Sequence, residues 1–144
     1  MATLYSILAL DDESRRWLLD EGHYVPSDGR FPSPIPLKLS LDKMENVSVD
    51  YNIGLTDFEA TITDDNRNEW TTVRLASPTE NSPQGYFFKG GNVQLMLRLL
   101  KHVAAKHGPM VLVPDTDCEP VVVHRDSDLG DLCANWRHLT DSET

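Results

Sequence analysis

Hydrophobic and polar positions along the 144-residue chain repeat with two periods, and the middle of the chain has the clearest of them. Val47, Val49, Tyr51 and Ile53, then Phe58, Ala60 and Ile62, then Thr71, Val73 and Leu75 recur at every second position. Between them stand Ser48, Asp50 and Asn52, then Asp57, Glu59, Thr61 and Thr63, then Trp70, Thr72 and Arg74. One apolar and one wet face per segment predicts antiparallel strands covered on a single side. The polar run from Asp64 to Asn68 supplies the turn between the second and third strands.

Helical periodicity dominates the second half. From Asn92 to His107 the apolar residues Val93, Leu95, Met96, Leu97, Leu99, Leu100, Val103 and Ala104 form a broad stripe, with Asn92 as cap and Gly108-Pro109 as stop. Leu129, Leu132, Cys133, Trp136 and Leu139 recur at helical spacing and predict a terminal helix. Near the other end, Leu4 to Leu10 reads as a short buried strand. Asp11 and Asp12 then open a helix that Gly22 closes.

The remaining segments are shorter. Residues 23–36 are rich in Pro, Ser and Gly and mark a loop. Ser33-Pro34 begins a helix running to about Met44, although Ile35, Leu37, Leu39 and Leu41 also alternate as a strand would. Residues 77–84 form another loop, before Gly85 to Lys89. Met110 to Val113 and Pro120 to His124 form a hairpin joined by residues 115–119. The sum is one α+β domain over residues 1–144: an antiparallel or mixed sheet, with helices near 11–21, 92–107 and 128–139 packed mainly on one face.

Charge changes the picture more than composition does. The chain holds 23 Asp and Glu against 13 Lys and Arg, a formal charge of −10. That excess argues against nucleic-acid binding, where Lys and Arg must replace counterions along the phosphates, and against docking on anionic lipid. It leaves a solubility surface or a surface complementary to a cationic partner. The N-terminal apolar stretch has no preceding Lys or Arg and is followed by Asp11, Asp12 and Glu13, so it reads as neither a signal peptide nor a membrane span. Two cysteines, Cys118 and Cys133, fit a pair of reduced thiols in the cytoplasm.

Motifs for chemistry are missing from the sequence. His102 and His107 are five residues apart on one helix, where three or four would face a common ion, so no metal site is expected. Asp115, Asp117 and Glu119 alternate around Cys118 without the glycine and terminal acid of a calcium loop, and their charge disfavours a reactive thiolate. No Gly-x-Ser-x-Gly elbow is present, and Gly90-Gly91 lacks the spacing and lysine of a phosphate loop. No cofactor is expected, and the reading is non-enzymatic.

The acid is concentrated twice. Residues 42–69 hold eight carboxylates against Lys43 and Arg67, and residues 115–131 hold six against Arg125. The first group is expected on the wet sheet face, where an exposed Trp70 among carboxylates has the composition of a binding hot spot. The candidate partner contacts are therefore Asp57, Glu59, Asp64, Asp65 and Trp70, with Asp115, Asp117 and Glu119 as a second patch. Reversing Asp57 and Glu59 to Lys is expected to weaken a basic partner's binding.

The stretch from Lys101 to Asp115, a helix passing through Gly-Pro into a short apolar strand, resembles small bacterial immunity proteins. These are cytosolic inhibitors of polymorphic or contact-delivered toxins. The resemblance implies a binder that occludes a toxin's active site, often a basic one that cuts nucleic acid, and carries over no individual residue. The alternative is a small enzyme or ligand-binding domain with its site at residues 23–36 and Gly90-Gly91, which requires a deep pocket. A third reading, an adaptor subunit, requires a contiguous exposed apolar patch.

Overall fold

The computed structural model describes residues 4–10, 12–23, 25, 29, 32, 34–53, 58–75, 86–116 and 119–136. Strands β1 (Tyr5–Ala9), β2 (Val47–Ile53), β3 (Phe58–Asp64), β4 (Trp70–Leu75), β5 (Tyr86–Gly91), β6 (Met110–Pro114) and β7 (Val121–Val123) form one sheet. Its order is β2-β3-β4-β5-β1-β6-β7, and every neighbouring pair is antiparallel. With helices α1 (Asp12–Asp20), α2 (Pro34–Asp42), α3 (Val93–His107) and α4 (Leu129–Asn135), this is an α+β fold. The N-terminal strand is inserted between β5 and β6, so the two ends of the sheet are stitched together by the start of the chain.

The main core lies between the sheet and α2, α3 and α4. Phe58, Ala60, Ile62, Val73, Phe88 and Met110 of the strands meet Leu37 and Leu41 of α2 and the broad stripe of α3. Leu95, Met96, Leu97, Leu99, Leu100 and Val103 are all essentially inaccessible. Fully burying such a side chain contributes roughly 1.5–3 kcal/mol, so α3 is the element around which the others assemble. Its start follows the sequence: Asn92 caps it, the side chain accepting from the Leu95 amide at 2.9 Å, and Gly108 closes it at φ 87°.

The helix α1 takes the opposite face. Leu10, Leu18, Val25 and Val111 form a second, smaller cluster backed by Val113 and Val122, whereas Met110, Leu112, Val121 and Val123 point to the main core. The period-two alternation of β6 and β7, apolar at every position, serves two layers at once. The expected helix near 11–21 is therefore present, but it packs apart from the other three. Gly29 makes this possible: it pairs with Leu10 and lies so close to Pro109 that a Cβ would fall 1.9 Å from the Pro109 oxygen.

Over β2 to β5 no described helix covers the outer face. Trp70 stands there 50 % exposed, beside Thr61 and Thr72, whose hydroxyls bond across the strands at 3.0 Å. The terminal helix is shorter than its periodicity suggested. Trp136 leaves it in extended conformation and is buried instead, its indole N–H donating to the Glu119 carbonyl at 2.9 Å. No helix among the described residues is long and apolar enough to cross a membrane.

Candidate functional site

The carboxylates expected on the open sheet face are not left as an acidic patch. Glu59 pairs with Lys89 at 2.9 Å across β4, and Asp50 and Arg74 are the other charged residues that alternation turns outward on these strands. The described outer face thus carries two acids and two bases and is close to neutral. Asp57 lies outside the described residues.

Asp64 corrects the expectation most directly. It continues the inward alternation of Phe58, Ala60 and Ile62 and is 3 % exposed, so it does not face a partner. Its side chain forms an ion pair with Arg98 of α3 and accepts the amides of Asn66 at 2.8 Å and Arg67 at 3.0 Å. The Arg98 guanidinium, then these amides, hold the carboxyl below the ordinary carboxylate range. Asp65 is exposed and accepts the Ser48 hydroxyl at 2.6 Å, which ties the turn to β2.

The second acidic run is where the structure gathers several carboxylates at one cleft. A cleft of about 450 Å³ opens between β7 and α4, and Glu119, Asp126, Asp128 and Asp131 line it. Among the described lining residues there is no lysine or arginine, only His23 and His124. Arg125 approaches Asp126 at 4.0 Å with both side chains mostly in solvent, an arrangement water screens heavily. Asp128 caps α4 by accepting the Asp131 amide at 3.0 Å, which orients the Asp128 carboxylate at the rim. Asp115, by contrast, accepts the Leu4 amide at 3.1 Å outside this cleft, and Asp117 lies outside the described residues.

Two further clefts meet on the other side of α4. One, about 750 Å³ and open, runs past Lys43, Glu45, Asp64, Arg67, Arg98 and His102. The other, about 200 Å³, is lined by Arg67, Glu69, Gln94, Leu95, Leu129 and Cys133, among others, and the two share Arg67, Arg98 and Leu129. The Arg98 guanidinium on their common wall is held by Asp64 and by the Glu45 carbonyl at 3.1 Å. His102 points one ring nitrogen at the Ser40 carbonyl, 2.7 Å away, which requires that nitrogen to carry the proton.

Of the alternative site at residues 23–36 and Gly90-Gly91, residues 24, 26–28, 30, 31 and 33 lie outside the described residues. Among the described residues of that loop only His23 lines any of these clefts, and Gly90 and Gly91 pack beneath Trp70. Among the described residues, exposed large apolar side chains occur at Leu4 and on β1, α1, α2, β2 and β4. No group of His, Cys, Asp and Glu among the described residues has the arrangement of a metal site.

Sequence reasoning passed over two elements of this geography. Asp126, Asp128 and Asp131 were visible as part of an acidic run, but the turn that folds them back beside Glu119 was not. Arg98 reads in sequence as one polar position on an apolar helix. No family model matches the chain, and neither does any curated protein or solved structure.

Proposed function

We propose that the protein is a non-enzymatic acidic binding protein whose cationic partner docks at the cleft between β7 and α4. One observation carries this reading: Glu119, Asp126, Asp128 and Asp131 converge there without a lysine or arginine among the described lining residues. On the outer sheet face, by contrast, Glu59 is neutralised by Lys89. Oriented carboxylates of one sign in a cleft attract a basic surface at long range and raise the association rate, with an effect that falls as salt rises. A cytoplasmic immunity protein that covers a basic, nuclease-type toxin is the specific form of this function that the charge and the resemblance of residues 101–115 favour.

The test is co-purification from the native host at low salt with elution at high salt. Wild-type protein is compared with Asp126→Lys/Asp131→Lys and with Asp50→Lys/Glu59→Lys. Loss of the salt-eluted partner only with the first variant supports the β7–α4 cleft. Loss only with the second returns the interface to the sheet face. Unchanged capture by both removes electrostatic docking as the function of the acidic charge.

A further inference from the structure

The pocket of about 200 Å³ between the β3–β4 turn, α3 and α4 brings three features together. Its apolar wall is Leu95, Leu129 and Cys133; Leu95 is fully buried behind it and the other two are half-buried. Besides Arg98, which Asp64 already pairs, its polar rim holds the Arg67 guanidinium and the Glu69 carboxylate, on the two sides of Asn68. Neither side chain makes an ion pair or hydrogen bond with any described residue, and they make none with each other although both line the same space. Gln94, exposed at the start of α3, adds a group that both donates and accepts.

The backbone that carries this rim is fixed. Asp64 holds the amide of Arg67, the Asp64 amide donates to the Glu69 carbonyl at 2.8 Å, and Asn68 sits at φ 54° between them. Arg98, on the common wall, is already engaged by Asp64 and the Glu45 carbonyl. The two unengaged charges therefore stand on a braced turn rather than on a loose loop, which lowers the ordering cost of binding.

From this juxtaposition we infer that the pocket binds a free α-amino acid with an apolar side chain. The ligand's carboxylate meets the Arg67 fork, its ammonium meets Glu69, and its side chain lies on Leu95, Leu129 and Cys133. An anion alone would leave Glu69 facing it, and a cation alone would leave Arg67 facing it. A zwitterion satisfies both, and a cavity of roughly 150 Å³ already accepts a benzene ring, so the volume suits a leucine or phenylalanine side chain.

The test uses the full chain with L-phenylalanine and L-leucine as probes, followed by methyl NMR shifts of Leu95 and Leu129 and by titration calorimetry. N-acetyl-phenylalanine, which lacks the ammonium, and phenylalaninamide, which lacks the carboxylate, are the comparison ligands. A dissociation constant on the order of 1 mM is expected for ligands this small. Each blocked analogue should bind about tenfold more weakly, and Arg67→Gln and Glu69→Gln should each reduce affinity about tenfold, the loss of one charge-assisted contact. Both variants alter exposed or half-exposed side chains without partners among the described residues, and unchanged urea unfolding will show that they are intact. Absent methyl shifts, or blocked analogues that bind as well as the free amino acids, would overturn the proposal. Neither result bears on the β7–α4 cleft, which lies on the other face of α4.

Discussion

Asp64, at the end of β3, forms an ion pair with Arg98, in the middle of α3, and the same carboxylate holds the two amides that begin the β3–β4 turn. One side chain thus joins the sheet, the principal helix and a turn. Arg98 in turn reaches the Glu45 carbonyl at 3.1 Å, which ties in the connection between α2 and β2.

Asp64→Ala should therefore lower the urea midpoint more than Asp64→Asn, which keeps an oxygen for the turn amides but loses the charge. The carboxyl is depressed in the folded state, so its contribution is present above the unfolded value, near pH 4, and is lost as pH falls through the folded value. The stability difference between wild type and Asp64→Asn should be constant near neutrality and shrink in acid. Chemical denaturation at several pH values measures it, and a difference that does not shrink as pH falls below the ordinary carboxylate range would refute the linkage.

Two glycines separate backbone strain from crowding. At Gly91, φ is 104° and a Cβ would lie 2.1 Å from the Trp70 oxygen; at Gly22, φ is 84° and nothing lies within 4 Å. Gly22→Ala should cost about 1 kcal/mol, the left-handed conformation alone. Gly91→Ala should cost about 3 kcal/mol or more, because the β4–β5 bulge at Thr71 must also open. Thermal unfolding of the two variants provides the comparison.

On α2 the prediction is a contrast between two leucines. Leu37 is fully buried and Leu39 is 57 % exposed. Leu37→Ala should destabilise by about 2–5 kcal/mol and Leu39→Ala by less than about 0.5 kcal/mol. Equal effects in urea denaturation would mean that residues 34–42 are not helical.

Burial pushes the Tyr86 phenol up to about 12, and burial together with the Asp42 carboxylate raises Tyr51 further. A raised phenol contributes stability that is complete below its ordinary value near 10 and disappears as pH climbs through the folded value. Tyrosinate absorbance should thus rise in two phases, the later one coinciding with loss of structure by circular dichroism. In Tyr86→Phe the late phase should be smaller; an unchanged late amplitude would count against this assignment.

How far the sequence reached can be judged element by element. The alternation of Val47 to Leu75 gave the strands and their wet face because period two has a single geometric meaning when intervening residues are polar. Exposed Trp70 followed from the same alternation. What alternation does not carry is the far side of a strand end: Asp64 continues the inward set by parity, yet its turn-forming neighbours made it read as exposed. Arg98, thirty-four residues later, joins the two turn amides in making an inward carboxylate tolerable.

The acidic surface has the same history. Glu59 and Lys89 are thirty residues apart and meet across β4, so a local count of charges could not show that they pair on the sheet face. Asp126, Asp128 and Asp131 come beside Glu119 because Ser127 and His124 bond at 2.9 Å and tighten the turn before α4.

The sequence by itself determined the antiparallel strands, the capped helix α3 and the α+β class, since periodicity and caps act within a few residues of the groups they organise. It left α2 undecided, because Ile35, Leu37, Leu39 and Leu41 fit a strand by parity and also place 37 and 41 on one helical face, four apart. Packing against α3 decided it, burying Leu37 and Leu41 and leaving Ile35 and Leu39 in water. The face chosen by α1 and the pairing of each charge were likewise tertiary outcomes. They depend on contacts between residues far apart in the chain, which no local pattern encodes.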